Sequence, residues 1–270
     1  MSSILRVLGC SGGIGADLRT TSFLLDSDIL IDAGTGVGDL TLDELKNINS
    51  VFLTHSHLDH ICSIPFMADA VGAARLACKS PPLKVYGIQE TLDALKRHLF
   101  NDVIWPDFTK LPSVQDPFIS LCPIEIGKII DISKTNQRRF IAALPVDHSI
   151  PAVAYAIESD SGVLVFSGDT GRSSEFIKSL NHLPRLDHLI IETSFDDSEE
   201  TLAKISGHLC PALLAKELEQ LNHTATQVWI THLKPDGGQS IFDEITRSEI
   251  AGSSGKSKIK DLKRGLEISF

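Results

Sequence analysis

Ser50-Val51-Phe52-Leu53-Thr54-His55-Ser56-His57-Leu58-Asp59-His60 begins as a short apolar strand and ends in three of the chain's ten histidines, with a carboxylate among them. In extended chain, positions two apart point the same way, so His55 and His57 can converge on one ion. Asp59 and His60 open the helical pattern that follows and can turn toward a second ion. Imidazole and carboxylate are the ligands that borderline divalent metals such as Zn²⁺ prefer. A competing reading, a polar helix start capped by Asp59, accounts for the carboxylate but leaves three crowded histidines unexplained.

Two open metal sites need more ligands than four residues supply, and the chain offers them where later strands end. His148 follows the strand Phe140–Leu144, Asp169 follows Val163-Leu164-Val165-Phe166-Ser167-Gly168, and His232 follows Gln227-Val228-Trp229-Ile230-Thr231. Val51-Phe52-Leu53-Thr54-His55 and Val228-Trp229-Ile230-Thr231-His232 are built alike, as if two halves of the fold place ligands by one device.

These seven positions, in this order, resemble the metallo-β-lactamase superfamily, whose pattern is His-x-His-x-Asp-His with a His, an Asp and a His downstream. The resemblance runs from Leu5 to His232. Short β-branched runs, one around Ile124–Ile132, alternate with helical patterns, one over Ile61–Leu76, which suits two packed sheets covered by helices outside. The resemblance implies the same α/β fold, a four-layer αββα sandwich, with residues 1–270 as one hydrolase domain. It also implies His55, His57 and His148 on one metal, Asp59, His60 and His232 on the other, and Asp169 bridging. The implied cofactors are two divalent cations, Zn²⁺ first, with Mn²⁺ or Fe as the other candidates. Asp59 counts as catalytic as well as a ligand. Ile31-Asp32-Ala33-Gly34 matches an early motif of the superfamily, in which Asp32 would orient ligands by hydrogen bonding. His57 stands where the superfamily's redox diiron branch carries Glu, which points to hydrolysis.

Two close metals supply a hydroxide that is nucleophilic near neutral pH and a clamp for a developing anion. That serves phosphodiesters, β-lactams, lactones and thioesters alike, so the substrate has to be read from other residues. Four stretches resemble the class II 3′,5′-cyclic-nucleotide phosphodiesterases of the superfamily. They are the metal motif continuing into Ile61-Cys62-Ser63-Ile64-Pro65, the segment Phe100–Phe108, Glu192-Thr193-Ser194-Phe195, and Ser206-Gly207-His208-Leu209. Cys62-Ser63 departs from the pattern, since Gly is common there. The last two stretches also resemble tRNA 3′-processing endonucleases, where a Glu and a His assist proton transfer. A phosphodiesterase must protonate its leaving alkoxide, and His208, kept charged by Glu192, is the candidate.

The expected activity is hydrolysis of cAMP or cGMP to the 5′-monophosphate, a small-molecule reaction, with a homodimer implied by the family. A tRNA 3′-end endonuclease, a lactonase or thioesterase of the same fold, and a metal-free scaffold are the rivals. Nucleic acid is disfavoured by charge: 25 Lys+Arg against 35 Asp+Glu leave a net −10, the wrong sign for counterion release from a polyanion.

The composition is that of a globular protein, 42% hydrophobic and 22% charged. No run nears the roughly 20 apolar residues of a membrane span, and the N-terminus lacks a charged segment followed by an apolar one, so a cytoplasmic protein without a membrane partner is expected. Five scattered cysteines without Cys-x-x-Cys predict reduced, mostly buried thiols. Gly9-Cys10-Ser11-Gly12-Gly13 matches a nucleophile elbow by letter, but the following Thr20–Leu25 reads as a strand where that motif needs a helix. The glycines are instead expected to form a tight turn at the site's edge. Trp105 and Phe108, in a Pro-punctuated stretch from Asn101 to Pro123, can either stack on a purine or pack the loop onto the core. His98, His182, His188 and His223 are read as structural. The Lys-rich tail from Ala251 to Gly265 is read as a solvated turn or helix before a last strand, Leu266–Phe270.

Overall fold

Two seven-stranded sheets lie face to face, and each repeats the same plan. A computed structural model describes residues 2–223, 225–247 and 258–270. The first sheet holds β1 (Ile4–Gly9), β2 (Ser22–Leu25), β3 (Ile29–Ala33), β4 (Ser50–Phe52), β5 (Leu83–Gly87) and β6 (Ile119–Pro123), with β14 (Glu267–Ser269) beyond β1. The second holds β7 (Ile129–Asp131), β8 (Arg139–Pro145), β9 (Val153–Ser159), β10 (Val163–Phe166), β11 (His188–Glu192), β12 (Gln227–Thr231) and β13 (Lys258–Asp261) in chain order. In the first, β14 through β3 pair antiparallel and β3 through β6 pair parallel. In the second, β7 through β10 pair antiparallel and β10 through β13 pair parallel.

Alternation along these strands divides the apolar residues between layers. Phe23, Leu25, Ile29, Ile31 and Phe52 of the first sheet meet Tyr155, Ile157, Leu164, Phe166 and Ile190 of the second in the inner layer. Their neighbours Leu24, Leu30 and Val51 face outward onto helices α1 (Leu42–Asn47) and α3 (Ser63–Ala77). Val165, Leu189, Ile191 and Ile230 face α5 (Ser174–His182), α7 (Pro211–Leu218) and α8 (Gly238–Arg247). Central strands covered on both faces read as unbroken apolar runs, as β10 does. The four-layer αββα sandwich expected from the sequence is the observed fold.

Some local readings are corrected. The helix expected over Ile61–Leu76 is two, α2 (Leu58–Ile61) and α3, meeting at Cys62. The helix after α4 (Gln89–Ala94) winds into a π-helical turn over Leu95–Leu99. The strand expected over Ile124–Ile132 is really β6 before it and the short β7. Helices α1, α6 (Glu200–Ser206) and α8 and strand β13 lie outside the elements expected from the sequence. Residues 251–257 of the Lys-rich tail lie outside the described residues, while its continuation forms β13, paired parallel to β12. Of the five free cysteines only Cys210 is buried; Cys78 is exposed and the other three are half-buried, against the expectation of mostly buried thiols. Trp105 packs on the outer core beside Phe66, and buried Phe108 lies against Phe100 and Phe118, so both rings anchor their loop. Among the described residues no helix is long and apolar enough to cross a membrane.

Parallel pairing has one consequence for chemistry: β3, β4, β10, β11 and β12 all deliver their C-terminal ends to one edge of the sandwich. Strand β8, antiparallel to β9 and so aligned with β10, ends there too. Every candidate ligand follows one of these ends. The sheets are joined at that edge by Val153 N–H to the Thr54 carbonyl (3.0 Å) and Tyr155 O–H to the Leu53 carbonyl (2.7 Å). Phe52, just before the histidine loop, stacks on Tyr86 at 4.4 Å and meets Tyr155 edge-on at 5.7 Å. The loop therefore springs from a fixed aromatic base.

Candidate metal centre and active site

All seven predicted ligands meet at this edge. One ligand atom from each of His55, His57, His148 and Asp169 lies within 4.8 Å of the others, and Asp59, His60 and His232 form a second such group. Asp169 lies between the groups: its carboxylate oxygens are 3.6 Å from His55 Nε2, 3.3 Å from His60 Nε2 and 3.4 Å from His232 Nε2. Asp59 leaves the start of α2 uncapped and turns instead to His232 Nε2 at 3.2 Å.

Each ring is aimed by what its other nitrogen touches. Asp32, fully buried at the end of β3, accepts from Thr54 N–H (2.8 Å), Thr54 Oγ1 (2.9 Å) and His60 Nδ1 (2.7 Å). Because the Thr54 hydroxyl donates to Asp32, it accepts from His55 Nδ1 at 2.9 Å. Both histidines are thereby left with Nε2 toward the centre. The second sheet repeats the device. Glu192, fully buried at the end of β11, accepts from Thr170 N–H (3.1 Å), Ser194 Oγ (3.1 Å) and His208 Nδ1 (2.7 Å). The Ser194 hydroxyl in turn accepts from His232 Nδ1 at 2.9 Å.

His148 donates Nδ1–H to the Gly207 carbonyl at 2.7 Å, which brings its Nε2 to 3.2 Å from His57 Nδ1. Gly207 ends α6 at φ +70°, and a Cβ there would sit 2.7 Å from Ser149 N, so only glycine fits. That one residue aims His148 with its carbonyl and carries His208 as its chain neighbour. Gly12 has a comparable role on the other flank, where a Cβ would meet the His232 carbonyl at 2.6 Å and its ring at 2.9 Å. The glycine-rich turn after β1 thus backs a candidate ligand, and the Ser11 hydroxyl donates to the Leu233 carbonyl at 3.4 Å. Asp32 and His232 both hold left-handed backbone, φ 54° and 62°, at about 1–3 kcal/mol each.

His55 Nε2, His60 Nε2 and Asp169 Oδ1 are buried and have no hydrogen-bond partner. Buried polar atoms are normally satisfied. Three such atoms converging on one space fit divalent cations. The electrostatics agree. Burial, then neighbouring imidazoles, lower the pKa of His55 and His57, and burial lowers that of His148, which keeps them neutral as ligands must be. Burial opposes charge on His60, but Asp169 and Asp32 outweigh it, so without a cation this ring holds a proton between two carboxylates. Burial also opposes charge on His208, and there Glu192 prevails and raises it. His208 has a ring nitrogen within 4.8 Å of ligand atoms of Asp169 and His232.

Thr54, Ser194 and Gly207 carry no signal of their own in the sequence beyond their places beside His55, near Glu192 and beside His208. His98, His182, His188 and His223 lie away from the centre; His182 and His223 bond backbone carbonyls, and His188 borders Trp229.

The model of the class-II cAMP phosphodiesterases matches residues 40–240, which holds every one of these ligands. The chain belongs to the class-II cAMP phosphodiesterase family. That family is one of hydrolases. A probable 3′,5′-cyclic-nucleotide phosphodiesterase of Yersinia pestis is 27% identical over 210 residues, covering 70% of this chain, and the alignment spans 58% of that relative's length. Unliganded yeast PDE1 superposes with a TM-score of 0.80 at 20% identity, over 100% of this chain and 99% of that one. The metallo-β-lactamase fold protein YhfI of Bacillus subtilis superposes at 0.75 and 18% identity, over 100% and 99%. At these identities the structures establish a shared fold, that of the metallo-β-lactamases.

Proposed function

We propose that this chain, working as one hydrolase unit, is a binuclear metal-dependent phosphodiesterase that opens 3′,5′-cyclic nucleotides, cAMP or cGMP, to 5′-nucleoside monophosphates. The carrying observation is the pair of buried carboxylate relays, which leave ligand nitrogens facing one space with Asp169 between them. His55, His57, His148 and Asp169 would hold one cation, and Asp59, His60, His232 and Asp169 the other. Zn²⁺ suits such a nitrogen and oxygen donor set, with Mn²⁺ or Fe as alternatives. When bound, the cations would supply charge against the phosphate oxygens and a water that ionises near neutral pH.

The protein's own groups do the rest. Asp32 and Glu192 fix ring orientation before substrate arrives, so little reorganisation remains for the reaction. As water oxygen bonds to phosphorus, the bond from phosphorus to the 3′ oxygen breaks. His208, held in its charged form by Glu192, delivers a proton to that oxygen, and the proton lost by the attacking water balances it. The products balance as a 3′-hydroxyl and a 5′-phosphate. The net charge of −10 supports a small substrate over a polynucleotide.

The test is a parallel panel of cAMP, cGMP, a tRNA precursor and a lactone, with metal content recorded. Turnover of a cyclic nucleotide to its 5′-monophosphate with about two metals per chain is expected. Cleavage of the tRNA precursor alone, or a protein that binds no transition metal on reconstitution, overturns the proposal.

A further inference from the structure

A cleft of about 300 Å³ opens beside His148 and His208, walled by Asp147, Arg172, Lys204 and Ile205. Within it Arg172 is held in a fixed attitude. Its Nε donates to Glu217 Oε1 at 2.9 Å, and Glu217 Oε2 accepts the Ser173 N–H at 3.3 Å. Glu217 is only 3% exposed, so its carboxylate is a rigid anchor, whereas the Arg172 side chain is 46% exposed. Among the described residues no partner engages the Arg172 terminal amines. An arginine tethered through Nε presents those amines as a ready fork. Lys204, by contrast, is spent on Glu200 at 2.6 Å.

We propose that this cleft receives the ribose and base of the substrate and that Arg172 is a specificity-determining residue favouring guanine over adenine. The inference rests on the phosphodiesterase reading: if His208 protonates the 3′ oxygen, the ribose that carries it, still joined to phosphorus through its 5′ oxygen, lies with its base against the cleft His208 borders. Guanine offers two adjacent acceptors, O6 and N7, which match the paired donors of a guanidinium. Adenine places an amino donor beside N7, and two donors facing each other repel. Exposed Asp147 supplies an acceptor for guanine's N1–H and amino group, and Ile205, 77% exposed, supplies apolar surface for the ring face. Glu217 acts as a positioning residue, through Arg172 only.

The experiment measures kcat and KM on cGMP and cAMP for the wild type, Arg172→Met, Arg172→Lys and Glu217→Gln. In parallel, calorimetry measures binding of 5′-GMP and 5′-AMP to the same metal-loaded proteins. The wild type is expected to prefer the guanine nucleotide by roughly tenfold to a hundredfold. Arg172→Met should erase the preference through KM with kcat nearly held. Arg172→Lys keeps the charge but not the fork and should not restore it, and Glu217→Gln should lose part of it. Equal wild-type binding of the two nucleotides overturns the inference, as does an Arg172→Met that weakens both alike. Should Arg172→Met fail to fold, Arg172→Lys decides. A wild type that turns over neither cyclic nucleotide sinks the phosphodiesterase reading, while the binding arm still judges Arg172.

Discussion

Asp32 and Glu192 occupy corresponding places in the two halves of the molecule, yet they serve different ends. Each is fully buried at the end of a central strand, grips one histidine directly and reaches a second through a hydroxyl: Asp32 to His60 and, by Thr54, His55; Glu192 to His208 and, by Ser194, His232. In the first half both rings finish with unpartnered nitrogens toward Asp169. In the second, His232 faces Asp169 and Asp59, while His208 borders the cleft that Arg172 lines. A doubled scaffold thus aims four rings, three of them candidate ligands, and in the proposed mechanism the fourth is free for proton transfer.

The sharpest way to break this comparison is to remove the two directly held histidines. His60→Ala should drop metal content from about two per chain to about one and reduce hydrolysis to background, read by elemental analysis and turnover. His208→Ala should keep full metal content while kcat falls about 10²- to 10⁴-fold. If His208→Ala sheds metal as His60→Ala does, the two relays are equivalent and the division of labour is wrong.

The hydroxyl links provide a finer cut. Thr54→Ala and Ser194→Ala should each weaken metal retention about 10- to 100-fold, measured by chelator competition, because each frees a ligand ring to rotate. Asp32→Asn should lie in the same range through His60. A Ser194→Ala protein with unaltered metal affinity would place the aim of His232 in Gly12 and the backbone instead.

The far end of the sandwich supplies the control. There Arg139, only 1% exposed at the start of β8, forks onto Asp28 at 2.9 and 3.0 Å, reaches Asp26 at 2.8 Å and bonds the Ile132 carbonyl. This charge joins the two sheets as the site does, but nothing in it is left open. Arg139→Met should cost about 3–5 kcal/mol in urea unfolding, by taking the guanidinium from Asp26 and leaving Asp28 to Lys134 alone, and leave turnover per folded molecule intact. A smaller, pH-dependent effect follows at Asp28. Burial disfavours its charge, but hydrogen bonds from Arg139 and Lys134 prevail and hold its carboxyl below the ordinary 3.8. Its contribution is therefore complete above that value and fades as pH falls through the lower folded-state value. Asp28→Asn should flatten that acid limb of the stability profile; an unchanged limb would assign it to other carboxylates.

Legibility followed the kind of signal each residue carries. His55, His57, Asp59 and His60 could be read together because a helix start packed with imidazoles has no ordinary structural use. His148, Asp169 and His232 were readable as strand-end residues once that cluster demanded partners. Thr54 and Ser194 were not, since a lone hydroxyl after a strand is commonplace until its neighbours are known. β13 was missed because Lys258-Ile259-Lys260-Asp261 has the polar composition of a loop; its pairing with β12 at the sheet edge makes it a strand. The break at Cys62 was hidden because nothing in its side chain forbids continuing the helix.

By itself the sequence determined the alternating apolar strands, hence two sheets with helices outside, and the inventory of metal-seeking groups, because periodicity and residue chemistry are local properties. Only the tertiary structure decided which nitrogen of each ring faces the centre, that Glu192 mirrors Asp32, and that Arg172 stands beside His208. Those facts depend on hydrogen bonds and contacts between segments far apart in the chain, and they exist only once two parallel sets of strand ends share one edge.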